Sequence, residues 1–509
     1  MRKHFSILFY SLIIFSFSAV AQKITYSEPD REDPKNVDFE IIGKVGGNIL
    51  IYKNYRDLHF IYVYDNEMKL INRVRLENLP ERIKDASFIQ YPDFCYMIYQ
   101  YQKKDIVYCM GLKLDGSGSK AEEPVQLDTT QISYNSNSKI YSVINSEDKQ
   151  KILLFKINNK SDKFSYVTTV LTDKYLHLIH KTKLPVPMHE RNDFLSEFQL
   201  DNDGDLAFLR ASGSNQNDNI SKLSLFIKPS TSDSAVSHEL SLKNLNLDDI
   251  RMKVDNYNKH YLISSFYSKQ RRGNVDGLYL SIWNKENDNE ITSSAITFSD
   301  ELRNDAKGES SVKTAFNDYF LRNVIVRRDG GFILCAESVY TSSHGNNLSR
   351  WDYMYGNPFF SPYNMYYNMY SYPYSYYYPW SRYGYGYGNY TRYYADNIAV
   401  LSIGVDGKME WSNVIKKSQY DDISDQHIGY GFLNSGDQLH FLFNVLEKRQ
   451  TVFSDQSITP EGQIVRNPIF HNLDRGFDFM PRQAKQIGSR TCIVPCLQRT
   501  YICFAKIEI

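Results

Sequence analysis

Apolar residues in this chain fall in short runs separated by polar turns, and from Asp38 onward the runs come in sets of four. Residues 39–45 read as a strand, Gly46-Gly47-Asn48 as a tight turn, and residues 49–53 as a second strand. After a loop at 54–57 comes a third strand, LHFIYVY at 58–64, apolar on both faces. Asp65-Asn66-Glu67 turns it into a more polar outer strand at 70–76. A strand with no polar face must be covered on both sides. Four strands with doubly buried inner members and a polar outermost one are what a propeller blade stacked between two others requires.

The same unit recurs. Residues 88–127 hold FIQYPDFCYMIYQ and DIVYCMGLKLDGSG; residues 195–242 hold EFQLDNDGDLAFLRAS and KLSLFIK; residues 250–298 hold MKVDNYNKHYLISSFYS and GLYLSIW. First-hairpin turns mark out at Gly47, Asp93, Lys149, Gly204, Lys259, Gly330, Gly436 and Ser489, spaced 46, 56, 55, 55, 71, 106 and 53 residues apart. The 71 contains a polar linker at 299–317 with room for a short helix, and the 106 contains a Tyr-rich insertion. A sustained period of short strands means a solenoid or a propeller. The last unit, 483–509, has three strands, and the missing fourth is available from KITY at 23–26. Exchange of that strand would close a ring and remove two exposed sheet edges. The expected fold is therefore all-β: a single eight-bladed β-propeller closed by its N- and C-terminal strands. Seven blades is the alternative, and an open β-sandwich array the third reading.

The unit at 327–411 is the most regular: RRDGGFILCAES, a long interruption, NIAVLSIGVDGKMEW, then NVIKKSQ at 413–419. Its Asp329-Gly330-Gly331-Phe332-Ile333, Asp406-Gly407 and Trp411 resemble a repeat common in uncharacterised exported proteins of Bacteroidetes. The resemblance covers about one blade. It implies propeller-like architecture and export, and no activity; the other units lack the Asp-Gly-Gly and the Trp.

Composition adds location. Arg2, Lys3 and His4 precede a mostly apolar run at 5–17, and Ala19-Val20-Ala21 is a small-x-small cleavage site, so residues 1–21 read as a signal peptide and 22–509 as the exported chain. The apolar run falls short of the ~20 residues that span a hydrocarbon core. No later run is long enough, so no membrane span is expected. With Gln22 after the cut there is no thiol for a lipid anchor. The chain ends inside a strand, without a recognisable sorting domain, which favours the periplasm over the cell surface. Basic and acidic side chains number 59 each, a balance that argues against nucleic acid as a partner, since such binders need a basic footprint.

Six Cys in an oxidising compartment permit disulfides. Cys95 and Cys109 lie symmetrically about Gln102, Cys496 and Cys503 about Arg499-Thr500, and either pair could face across a hairpin. The alternative is six buried apolar thiols.

Between Trp351 and Tyr394 lie 17 Tyr, two Trp and two Phe among Gly, Pro, Asn and Ser. This insertion, about 344–395, joins the second and third strands of its unit, on the face that also carries the inter-blade connections. Tyr offers a flat apolar ring and a hydroxyl at small entropic cost. Trp351, Tyr376, Tyr377, Tyr378, Trp380 and Arg382 are accordingly candidate contacts for a glycan or an envelope protein, against the plainer reading of a low-complexity loop. His189 and Arg191 in one connection, and Arg271 and Arg272 in another top-face loop, are further candidates.

Asp201, Asp203 and Asp205 superficially suggest calcium, but Gly204 falls in the wrong place for such a loop and a hairpin turn explains the spacing. His177 and His180, three apart on one predicted strand, face opposite ways and share no metal. No HExxH, GxSxG or phosphate-loop motif is present, and no cofactor is expected. The sequence thus reads as an exported, non-catalytic binding or scaffold protein of the envelope. The alternatives are a propeller enzyme acting on polysaccharide through acids in a central channel, and a purely structural envelope component.

Overall fold

All eight expected hairpin turns lie between the first and second strands of a sheet, and six are built on a residue in the left-handed backbone region. Gly47, Gly204, Gly330 and Gly436 have φ between 86° and 94°, and Lys149 and Lys259 take the same place at 57° and 58°. In the computed structural model, residues 22–30, 37–77, 79–80, 82–133, 139–161, 163–190, 193–213, 219–307, 315–343, 346–347, 391–422, 424–447, 450–470, 476–499 and 501–509 are described.

The protein is all-β, built from antiparallel meanders of four strands. The first sheet runs Val37–Val45, Asn48–Tyr55, Leu58–Tyr64, Leu70–Arg75, each strand paired with the next. The second and third follow the same order, from Asp85–Gln90 to Val125–Gln131 and from Ser142–Asn145 to Leu178–Pro187. Two further meanders, Phe194–Leu200 to Val236–Leu240 and Asn246–Asp255 to Asn289–Thr297, count as one eight-stranded sheet only because Ile220 pairs with Leu247. They form the fourth and fifth meanders. The sixth holds Tyr319–Val326, Phe332–Ser343, Thr391–Ile403 and Met409–Ile415; the seventh runs Gly431–Asn434 to Ile464–Arg466. In the last, Lys485–Gly488, Thr491–Gln498 and Tyr501–Glu508 are joined by Lys23–Tyr26, with Lys23 opposite Glu508 and Tyr26 opposite Ala505, and a fifth short strand, Phe477–Phe479, also pairs with Thr491–Gln498.

Burial follows the polarity pattern. His260–Ser268 is buried throughout and Gly277–Asn284 nearly so, whereas the outer Leu70–Arg75 is almost wholly exposed. Alternation within each strand sends neighbouring residues to different cores. Leu50 and Tyr52 pack toward the second sheet with Phe88 and Met97, and Ile49 and Ile51 toward the last sheet with Ile493 and Phe504. Every apolar cluster lies between two meanders consecutive in sequence, except the one that joins the last to the first. The linker before the sixth sheet supplies the α-helix Asp300–Ala306, capped by Ser299 and packed by Leu302 and Ala306 against the fifth and sixth sheets. Among the described residues no helix is long and apolar enough to cross a membrane.

Three expectations need correction. Cys95 and Cys109 do not face each other. The hairpin turns at Lys104-Asp105, not Gln102, so Cys95 lies opposite Leu114 and Cys109 opposite Gln100. That displacement sends the two thiols to different cores. Strand Thr391–Ile403 begins inside the expected 344–395 insertion, so Arg392 to Ala395 belong to the sheet. His177 sits in a turn rather than a strand, held by Asp173, while His180 meets Asp233.

Candidate functional site

The connections after the second and fourth strands of every meander leave from one end of the sheets, because antiparallel strands alternate direction. The insertion, the Arg271–Arg272 turn and the His189 connection all lie at that end. Trp351, Tyr376, Tyr377, Tyr378, Trp380, Arg382 and Arg191 lie outside the described residues. His189 is exposed, its backbone N–H donating to Asp193 Oδ2 at 2.6 Å. Arg271 and Arg272 occupy an exposed turn, where the Arg272 N–H donates to buried Asn219 Oδ1.

The root of the insertion is well defined. Phe332–Ser343 and Thr391–Ile403 stay paired to Ser343 opposite Thr391. Tyr340 stacks on Tyr394 with ring centroids 4.5 Å apart, and its hydroxyl donates to Asp396 at 3.0 Å. Arg392 lies 4.6 Å over the ring of Tyr420 and pairs with Asp422. Tyr420 is 55% exposed. Two strands thus carry an aromatic and charged stem out of the sixth sheet toward the Tyr-rich segment.

A second constellation was not legible beforehand. Four first strands place a charged residue fourth: Glu40, Glu197, Asp249 and Arg322. Glu197, Asp249 and Arg322 each lie inside a break in the ladder register, where a bulge re-aims a side chain; Glu40 stays paired with Tyr52, two residues before the break at Ile42. Glu197 and Asp249 take positive φ, 55° each. Glu197 Oε2 accepts the Met252 N–H of the next first strand at 2.9 Å, and Asp249 Oδ2 accepts the Leu321 N–H of the one after. Arg251 lies between them, 3.0 Å from Asp249 Oδ1 and 3.7 Å from Glu197 Oε1, and donates to Leu321 O at 3.1 Å. Three meanders are thereby clasped through their first strands. The sequence signal was a charge inside an otherwise apolar strand, as in FEIIGKV and FLRNVIV.

In strand Phe332–Ser343, Glu337 is 1% exposed and ringed by Lys417 Nζ at 2.9 Å, Arg482 at 3.5 Å and Arg322 at 3.6 Å. Burial alone would raise its pKa, but the three cations hold it below the ordinary value. Glu40 differs. Its Oε1 is buried with no hydrogen-bond partner among the described residues. Burial, only partly offset by Lys485, pushes its pKa up to about 7, and Asp85 adds to the rise. Asp85 is itself 3.8 Å from Lys139.

At the opposite end, Asp201, Asp203 and Asp205 form the expected turn, with Gly204 N–H donating to Asp201 O. All three carboxylates converge on Lys285 Nζ at 2.5–2.8 Å, so an ammonium from the fifth sheet fills the centre of the loop. No group of three His, Cys, Asp or Glu arranged to hold a metal occurs among the described residues.

No family model and no curated protein matches the chain. Solved structures similar to it include a prolyl endopeptidase, 8% identical over 90% of this chain and 45% of its own length, with TM-score 0.37. An ulvan lyase is 11% identical over 82% of this chain and 90% of its own, with TM-score 0.36. A Synechocystis apocarotenoid oxygenase is 8% identical over 74% and 73%, with TM-score 0.33. The chain spans less than half the length of the endopeptidase.

Proposed function

We propose that the chain is an exported, eight-bladed β-propeller that binds a glycan or an envelope protein at its insertion-bearing face, without catalysis. Three features favour the ring: four-stranded meanders, apolar seams between consecutive meanders, and a final seam from last to first. Eight blades rather than seven follow from dividing the eight-stranded sheet at the lone Ile220–Leu247 pair. The first strands would then line a central channel. The binding reading rests on the stem of Tyr340, Tyr394, Tyr420 and Arg392, which borders the Tyr-rich segment in the chain. Stacked rings with a nearby guanidinium suit the apolar faces of sugars or the side chains of a protein. Export rests on the leader-like residues 1–21 and predicts a mature chain beginning at Gln22, readable by N-terminal sequencing.

The test is a variant with residues 348–390 replaced by a short Gly-Ser linker, which spares the stem. Purified peptidoglycan fragments, a polysaccharide array and cross-linking in envelope extract serve as probes. The variant should lose capture and keep its melting temperature; unchanged capture would refute the binding face. Glu40 supports a second reading, a polysaccharide-cleaving enzyme, because a carboxyl raised to about 7 suits general acid–base work. That reading requires turnover of a polysaccharide by the native chain and its loss in Glu40→Gln. The cations paired with Asp85, Glu197, Asp249 and Glu337 favour the binder, since they leave those carboxylates engaged.

A further inference from the structure

Of the possible pairs among the six cysteines, one has both thiols in direct contact. Cys95, Cys109 and Cys335 lie in three different cores. Cys492, Cys496 and Cys503 share the core of the closing sheet, and within it Cys496 and Cys503 are direct cross-strand partners. Their Sγ atoms are 2.8 Å apart and both residues are fully buried. Antiparallel partners have Cα atoms about 4.5–5.5 Å apart, inside the range a disulfide bridges without backbone movement.

We propose that Cys496 and Cys503 are a redox latch on the sheet that closes the molecule. The strand carrying Cys503, Tyr501–Glu508, is the one on which Lys23–Tyr26 docks. Ser27 fastens that junction from both sides: its N–H donates to Phe504 O, and its hydroxyl accepts the Phe504 N–H at 3.0 Å. Phe504 adjoins Cys503. A covalent staple across the hairpin holds the docking edge in register before the N-terminal strand arrives.

The chemistry is exchange with a disulfide oxidant, glutathione disulfide or a thiol oxidoreductase. One thiolate, taken as Cys496, attacks the oxidant's sulfur and releases one reduced thiol, leaving a mixed disulfide. The Cys503 thiolate attacks the Cys496 sulfur and releases the second. Two protons leave the chain, its two thiols are oxidised by two electrons, and the oxidant is reduced to two thiols. In the folded sheet, burial holds the Cys496 thiol well above its ordinary pKa, so the exchange belongs to the folding chain, while the hairpin is still open. The latch rests on the export reading only for where the oxidant would be met, and refolding in vitro tests it independently.

The full chain is unfolded, then refolded with glutathione disulfide or with reduced glutathione, and its thiols are counted by alkylation in denaturant. Four thiols are expected after oxidative refolding and six after reductive refolding. Trypsin should yield 491–499 linked to 500–506, a linkage retained in Cys492→Ser and lost in Cys496→Ser. Hydrogen exchange at residues 24–26 should slow by about 10-fold in the oxidised form, the change expected from a local opening made harder by one latch. Six thiols after oxidative refolding, or a linkage that survives Cys496→Ser, overturns the pairing. A linkage without slower exchange overturns the latch.

Discussion

Glu40 shows how one buried carboxyl sets a pH dependence. Below the ordinary value of 4.5, the folded and unfolded chains both carry its proton; between 4.5 and about 7 only the folded chain does. Where the folded state binds more protons, stability falls as pH rises. Glu40→Gln escapes that loss, so its advantage over the native chain should grow from pH 4.5 to 7 and then level off, reaching at most about 3 kcal/mol. Urea titrations across that window check it; a variant less stable at pH 8 would mean that Glu40 serves mainly as the counter-ion of Lys485. Lys285 has the opposite logic, since it is the cation that three carboxylates share. Lys285→Met leaves Asp201, 3% exposed, without its ammonium, at a cost of roughly 3 kcal/mol at neutral pH. The ammonium holds Asp203 below its ordinary value of 3.8. Its contribution is therefore present above 3.8 and lost as pH falls through the lower folded value, so the share of the gap that Asp203 carries should disappear as pH falls below 3.8.

At the scale of elements, the decisive piece is the shortest. Lys23–Tyr26 contributes Ile24 and Tyr26 to the core of the last sheet, with Tyr26 stacked 4.2 Å from Phe477. Removing residues 22–26 opens the edge of Tyr501–Glu508. The truncated chain should melt lower and self-associate with rising concentration, because an unpaired edge templates further strands. Light scattering beside calorimetry reads both effects; an unaltered melt would mean that the strand is decorative. This element was legible in KITY and in the three-stranded last unit. The Cys95–Cys109 relation was not, because it depends on where a hairpin turns, and the excursion at Lys104-Asp105 carries no Gly or Pro to mark it.

For the whole molecule, Lys23 opposite Glu508 puts the described N-terminal strand beside the last residues of the chain. A permutant linking Ile509 to Gln22 by a few Gly and Ser, with new ends at the exposed Lys243-Asn244 turn, should fold to equal or higher stability, since it converts a long-range pairing into a local hairpin. New ends inside His260–Ser268, buried along its length, should abolish folding. Circular dichroism melts of the two permutants test the arrangement; equal disruption by both would count against it.

The sequence by itself determined the local rules: alternating apolar positions, turns that place Gly or Lys in the left-handed region, and polar outer strands. These depend on neighbours in the chain, so the all-β class, the turns between first and second strands and the pairing of residues 23–26 with the last strand could be read directly. Only the tertiary structure decided which charges meet. Glu197 with Arg251, Glu337 with Lys417, and Asp201 with Lys285 are far apart in the chain, and bulges and sheet stacking bring them together. Coulomb and hydrogen-bond contacts act over a few ångströms in space, which a linear string does not record.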